Sequence, residues 1–88
     1  MKCFHMHIYG KVQHVGFRFF TMQVAYQRGI RGYIQNRKDG SLFIAAEGEE
    51  ESLNAFVEWC KKGPMGARVD DITVEEGEIK NYSSFDTK

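Results

Sequence analysis

An α+β sandwich with element order β-α-β-β-α-β is the fold class that this sequence predicts. Two observations carry the order. Four segments place apolar residues at every second position, and two others repeat them at i, i+3, i+4 and i+7. Gly, Pro and short polar runs fall between these segments, and neither helical segment contains Gly or Pro. A third observation sets the size: 88 residues allow one domain with one core.

The first strand is residues 4–9, where Phe4, Met6 and Ile8 share one face. A glycine-containing stretch follows, and then residues 19–28 form a helix closed by Gly29. Its core-facing stripe is expected to be Phe17, Phe20, Thr21 and Val24. Arg28 occupies a position where an apolar residue would be usual, and can snorkel or reach the last carbonyls. Residues 30–36 form the second strand, with Ile30, Gly32 and Ile34 on one face. Arg37-Lys38-Asp39-Gly40 supplies the chemistry of a hairpin turn. Residues 41–47 return as the third strand, with Leu42, Ile44 and Ala46 on one face.

The second helix is residues 49–62, with Leu53, Phe56, Val57 and Cys60 inward. Three glutamates open it and two lysines close it, so both ends suit the helix dipole. Gly63-Pro64 stops it. After a loop, residues 69–76 form the fourth strand with Ile72 and Val74 inward. Residues 77–81 are polar and turn-like, and residues 82–87 offer a short edge strand. This order is that of a ferredoxin-like sandwich, two helices over one face of an antiparallel sheet.

Lys plus Arg equals Asp plus Glu at 12 each, which argues against a nucleic-acid or membrane-surface protein. Any anion site must therefore be local. Cys3 and Cys60 lack the spacing of a disulfide framework or zinc knuckle and read as reduced thiols of a cytoplasmic protein. No apolar run reaches the ~20 residues of a membrane span. Cys3, His5 and His7 share a strand face, but Cys3 and His7 stand about 13 Å apart, too far for one ion. A partly exposed polar sheet face is the favoured reading, and no metal site is expected.

The stretch Gly10-Lys11-Val12-Gln13-His14-Val15-Gly16-Phe17-Arg18 joins strand to helix. Such a turn aims free N–H groups at one point, where the helix dipole adds positive potential. Arg18 lies in the first helical turn, against the dipole's preference, which suggests a local anion. The alternative is a glycine-containing loop with a surface arginine. Gly10-x-Val12-Gln13-x-Val15-x-Phe17-Arg18 resembles the acylphosphatase signature. Gly32-Tyr33-Ile34-Gln35-Asn36 is similar to that family's second motif, and the likeness extends to Gly63-Pro64 and Ala67-Arg68-Val69. The family usually has Gly where this chain has His14.

The resemblance implies one acylphosphatase-like domain over residues 1–88 that hydrolyses acyl phosphates. It implies that Arg18 binds phosphate and Asn36 orients the water, with His14, Val15, Gly16, Phe17 and Arg18 holding the substrate. It implies no metal, no cofactor and no covalent intermediate. The residue types suit that chemistry. A guanidinium grips two phosphoryl oxygens, backbone N–H groups bind the rest, and a neutral amide orients a water without repelling the anion. If the second strand lay beside the first, Asn36 would reach the corner held by Arg18. His14 is either a strained replacement for glycine or a donor to phosphate, and the strained reading is favoured. The expected partners are a small acyl phosphate and inorganic phosphate as product and inhibitor. Neither nucleic acid nor membrane is expected, and the chain is expected to be a monomer. Two readings compete with the enzyme: a non-catalytic anion-binding or regulatory domain, and an RNA-binding sheet using Tyr33 and Phe43 as stacking platforms.

Overall fold

In a computed structural model, which describes residues 1–88, the chain forms seven elements. They are β1 (Lys2–Lys11), α1 (Phe17–Gln27), β2 (Arg31–Asn36), β3 (Leu42–Gly48), α2 (Glu50–Lys62), β4 (Arg68–Gly77) and β5 (Phe85–Thr87). The five strands make one sheet of order β4-β1-β3-β2-β5. Four of them pair antiparallel, and β5 joins β2 in parallel, so the sheet is mixed at one edge. Both helices lie on one face, as the periodicities predict.

The core sits between that face and the helices. Met6, Ile8, Ile34, Leu42, Ile44, Leu53 and Phe56 are fully buried there. Phe17 meets Trp59 edge to face at 5.7 Å and locks the start of α1 onto α2. The expected stripe on α1 needs one correction. Gly16 caps the helix, so Phe17 is the first helical residue and the inward line runs Phe17, Thr21, Ala25. Phe20 lies off that line and is 43% exposed, while Ala25 replaces it as a fully buried contact. Val74 also departs from expectation. It shares the helix-facing side with Met6, its pairing partner, but lies on an edge strand and stays 40% exposed.

The opposite face is less open than its pattern suggests. Phe43, Ala45, Glu47 and Cys3 are all buried on it. Cys3 is therefore not part of an exposed polar face. Burial pushes its thiol pKa up, with a further push from the Glu47 carboxylate. No three His, Cys, Asp or Glu side chains come together. The rings of His5 and His7 lean on Phe43 at 5.6 and 5.0 Å, and the Arg37 guanidinium lies 4.9 Å from the same ring centre. Lys88 lies over Tyr33 at 4.1 Å, and Tyr82 meets Tyr33 edge-on. The two aromatics proposed as stacking platforms are thus already packed against the protein's own side chains.

Residues 78–84 carry the chain from the β4 edge to the β5 edge. The buried Glu47 carboxylate fastens this crossing by accepting N–H bonds from Lys80, Asn81 and Tyr82. The crossing lies at the end of the sheet where β1 begins, because β4 ends at Gly77 opposite Cys3.

Gly32 decides how closely β2 and β3 can pair. Its φ is +140°, and a Cβ there would stand 1.8 Å from the Ala45 carbonyl oxygen. Gly32→Ala is expected to cost at least ~2 kcal/mol of stability, because backbone rather than a flexible side chain must move. A thermal melt should show a fall of about 8 °C or more for a domain of this size. A shift of less than about 2 °C would show that the strands can part without penalty.

Candidate active site

β3 lies between the two strands that carry the sequence motifs. The conditional expectation that β2 lies beside β1 is not met. β1 and β2 are instead both antiparallel to β3, so they run the same way and finish at the same end of the sheet. Two strand spacings, about 10 Å, separate their ends. The segment between β1 and α1 spans that distance. The β1–β4 ladder shifts register at a bulge between Tyr9 and Gly10 and continues to Lys11 opposite Arg68, and Gly10 is needed there because a Cβ would fall 2.1 Å from the Arg68 carbonyl oxygen.

Gln13 makes the bridge. Its side-chain Nε2 donates to the carbonyl oxygens of Arg37 at 2.8 Å and Ser41 at 3.0 Å, the two ends of the β2–β3 turn. That turn is itself fixed. Arg37 N–H donates to Ser41 O, and Asp39 Oδ1 accepts from the Ser41 N–H and hydroxyl at 2.9 and 2.5 Å. The Ser41 hydroxyl bond holds the Asp39 carboxyl below its usual pKa range. Asn36, the last residue of β2, is thereby held against the loop. Gln13 belongs to the signature, but its side-chain role has no periodicity or composition signal. It depends on which carbonyls the fold brings within reach.

One cavity of about 180 Å³ collects most of the expected residues: Val12, Gln13, His14, Gly16, Phe17, Arg18, Phe19 and Asn36 line it. Val15 does not. Its side chain packs against the core, and only its backbone belongs to the loop. His14 is exposed, with φ +63°, and Gly16 follows at φ +77°. His14 thus occupies the left-handed conformation expected of a glycine replacement. None of the N–H groups from His14 to Phe19 donates to a protein acceptor, and the first α1 bond is Phe20 N–H to Gly16 O at 3.1 Å. α1 also has no acidic residue in its first turn, whereas α2 has Glu50 and Glu51. Arg18 forms no ion pair or side-chain hydrogen bond and stands exposed beside these donors. No carboxylate lines the cavity. The corner is a concentration of positive potential in a chain without net charge.

Asn36 differs from Arg18 in its setting. Its Oδ1 is buried and has no hydrogen-bond partner in the protein. A buried amide acceptor without a partner costs about 1–3 kcal/mol and persists where it has another use. The amide is therefore uncommitted within the protein, on a residue that lines the cavity.

Two substitutions test this geometry. Gln13→Leu removes both bridging bonds and should lower stability by about 1–2 kcal/mol and weaken inorganic phosphate binding several-fold, read by calorimetry. Unchanged phosphate affinity would show that the bridge does not position the loop. His14→Gly relieves a left-handed residue that costs about 1–2 kcal/mol, partly offset by greater freedom in the unfolded chain. Its melting temperature should hold or rise. A clear fall would mean that the imidazole makes a stabilising contact.

The acylphosphatase family model matches residues 4–87, a span that contains the whole cavity. An acylphosphatase of Thermotoga petrophila is 44% identical over 88 residues, covering all of this chain and 98% of the relative. An acylphosphatase of Archaeoglobus fulgidus is 46% identical over 81 residues, covering 92% of this chain and 91% of the relative. Among solved structures, the acylphosphatase from Bacillus subtilis superposes with a TM-score of 0.97 at 37% identity, covering 100% of this chain and 99% of that one. With matches of this extent in sequence and in fold, the chain belongs to the acylphosphatase family.

Proposed function

We propose that this protein hydrolyses acyl phosphates, the mixed anhydrides of carboxylic and phosphoric acids, to a carboxylate and inorganic phosphate. One observation carries the reading. An unpaired guanidinium, a run of undonated N–H groups and an uncommitted amide line a single cavity. Family membership agrees with it.

Each part has a task. The planar fork of Arg18 grips two phosphoryl oxygens. The N–H groups of His14 to Arg18, at the bare N-terminus of α1, bind the remaining oxygen and the charge that builds on it. Asn36 orients a water toward phosphorus. The water oxygen bonds to phosphorus as the bond to the acyl oxygen breaks. The carboxylate leaves with the electron pair, and the water's proton passes to a phosphoryl oxygen. The leaving group is already good, so positioning and charge stabilisation supply most of the rate. In this scheme neither metal nor cofactor takes part. A non-catalytic domain would also need the anion cradle, but would have no use for an uncommitted amide beside it.

The same reading makes 1–88 one domain, a cytoplasmic monomer whose partners are the acyl phosphate and inorganic phosphate, without nucleic acid or membrane. The balanced charge and the packed rings of Tyr33 and Phe43 support it. No helix is long and apolar enough to cross a membrane.

Acetyl phosphate should be hydrolysed at an equal rate with and without EDTA, and inorganic phosphate should inhibit competitively. Loss of activity in EDTA, restored by a divalent ion, would contradict the metal-free scheme. Arg18→Ala should lower kcat/KM by about 10³-fold and weaken phosphate inhibition, and Arg18→Lys should rescue poorly. Asn36→Ala should lower kcat by about 10²-fold with phosphate inhibition nearly intact. Equal loss of phosphate affinity in the Arg18 and Asn36 variants would overturn this division of roles.

A further inference from the structure

The phosphate cavity has an apolar rim that the hydrolytic scheme does not use. Phe19 lines the cavity and is 60% exposed, and Phe20 beside it is 43% exposed. The two rings meet edge to face at 5.4 Å. The Phe20 ring lies over Gly16, 3.4 Å from where a Cβ on that glycine would be, so a larger residue at position 16 would press on it. An exposed aromatic ring lining a small cavity, with a second ring packed on it, calls for a ligand explanation more than isolated surface residues do.

Their position on the helix gives the explanation. Phe17, Thr21 and Ala25 mark the side of α1 that faces the sheet. Phe19 lies about 200° round the helix from Phe17, on the far side. Asn36 enters the cavity from the sheet itself, at the end of β2. An in-line displacement places the leaving oxygen on the opposite side of phosphorus from the attacking water. With the water on the sheet side, the acyl group emerges on the solvent side of the α1 N-terminus, where Phe19 stands.

We infer that Phe19, buttressed by Phe20, is the platform for the acyl group and gives the enzyme a preference for aromatic acyl phosphates over small aliphatic ones. The assignment rests on the acyl phosphate hydrolase reading. An aromatic acyl group stacks on the exposed Phe19 ring, whereas an acetyl group covers little of it. No charged side chain other than Arg18 lines the cavity, so a neutral apolar acyl group meets no desolvated charge there except the one bound to phosphate.

The experiment compares kcat/KM for benzoyl phosphate and acetyl phosphate in wild type, Phe19→Ala and Phe19→Tyr. Wild type should favour benzoyl phosphate. Phe19→Ala should reduce that preference about fivefold, mainly through a higher KM for benzoyl phosphate, because stacking contributes equally to bound substrate and transition state. Phe19→Tyr keeps the ring face and should keep the preference. An unchanged preference in Phe19→Ala would overturn the assignment, and so would equal losses on both substrates. Loss of the preference in Phe19→Tyr would overturn the stacking account. Hydrolysis of neither substrate by wild type would instead remove the hydrolase reading on which the assignment stands.

Discussion

The position of β3 between β1 and β2 is the constraint on which the site depends. It makes β1 and β2 run the same way and finish at one end of the sheet, and it holds their ends about 10 Å apart. Neither strand alone could bring the Arg18 guanidinium of α1 and the Asn36 amide of β2 to one cavity. The loop after β1 fills the interval and is fastened to the far side by the Gln13 amide. The bridge works only if the β2–β3 turn is rigid, which gives the Asp39–Ser41 bonds a purpose beyond closing a hairpin. A local turn signal in sequence thus serves a contact between residues 24 and 28 positions apart.

The same corner gathers the features that a stability argument alone would remove. His14 sits at positive φ, N–H groups lack acceptors, the helix start lacks an acid, and a buried amide oxygen lacks a partner. Two phenyl rings face solvent beside them. The left-handed residue and the unpaired buried oxygen each cost on the order of 1 kcal/mol, and neither contributes to the core. Departures from good local structure collect where a protein binds and reacts. The opposite treatment of α2, whose start carries two glutamates, shows that the chain can neutralise a helix N-terminus where no ligand is expected.

Much of this architecture was legible in the sequence because it rests on local periodicity. The two helices, the hairpin and its turn, the stop at Gly63 and the places of Arg18 and Asn36 all follow from patterns within about a dozen residues. What was illegible depends on partners far along the chain. Phe20 is not the inward residue expected, because the line that α1 buries is Phe17, Thr21 and Ala25, and which neighbours of that line are covered depends on the elements packed beside it. Val74 kept its face but not its burial, since strand order decides which strand is an edge. Glu47 reads as the polar end of an alternating strand. Its burial depends on three N–H groups more than thirty residues away. The parallel pairing of β5 follows from that tie, because the crossing it holds delivers the chain to β2 from the same end at which β2 begins.

The sheet therefore has two ends with different duties. At the end where β1 begins, a buried carboxylate is saturated with N–H donors and the backbone is closed on itself. At the end where β1 finishes, backbone donors are left open and aimed at one point. The two arrangements use the same physical elements, an anion and a set of N–H groups, in complementary ways. In the first the protein supplies its own anion and gains structure. In the second it supplies no anion of its own, and the donors stay without a protein acceptor. Placing the closed arrangement a full strand length from the open one lets the site keep unsatisfied groups without loosening the sheet that positions them.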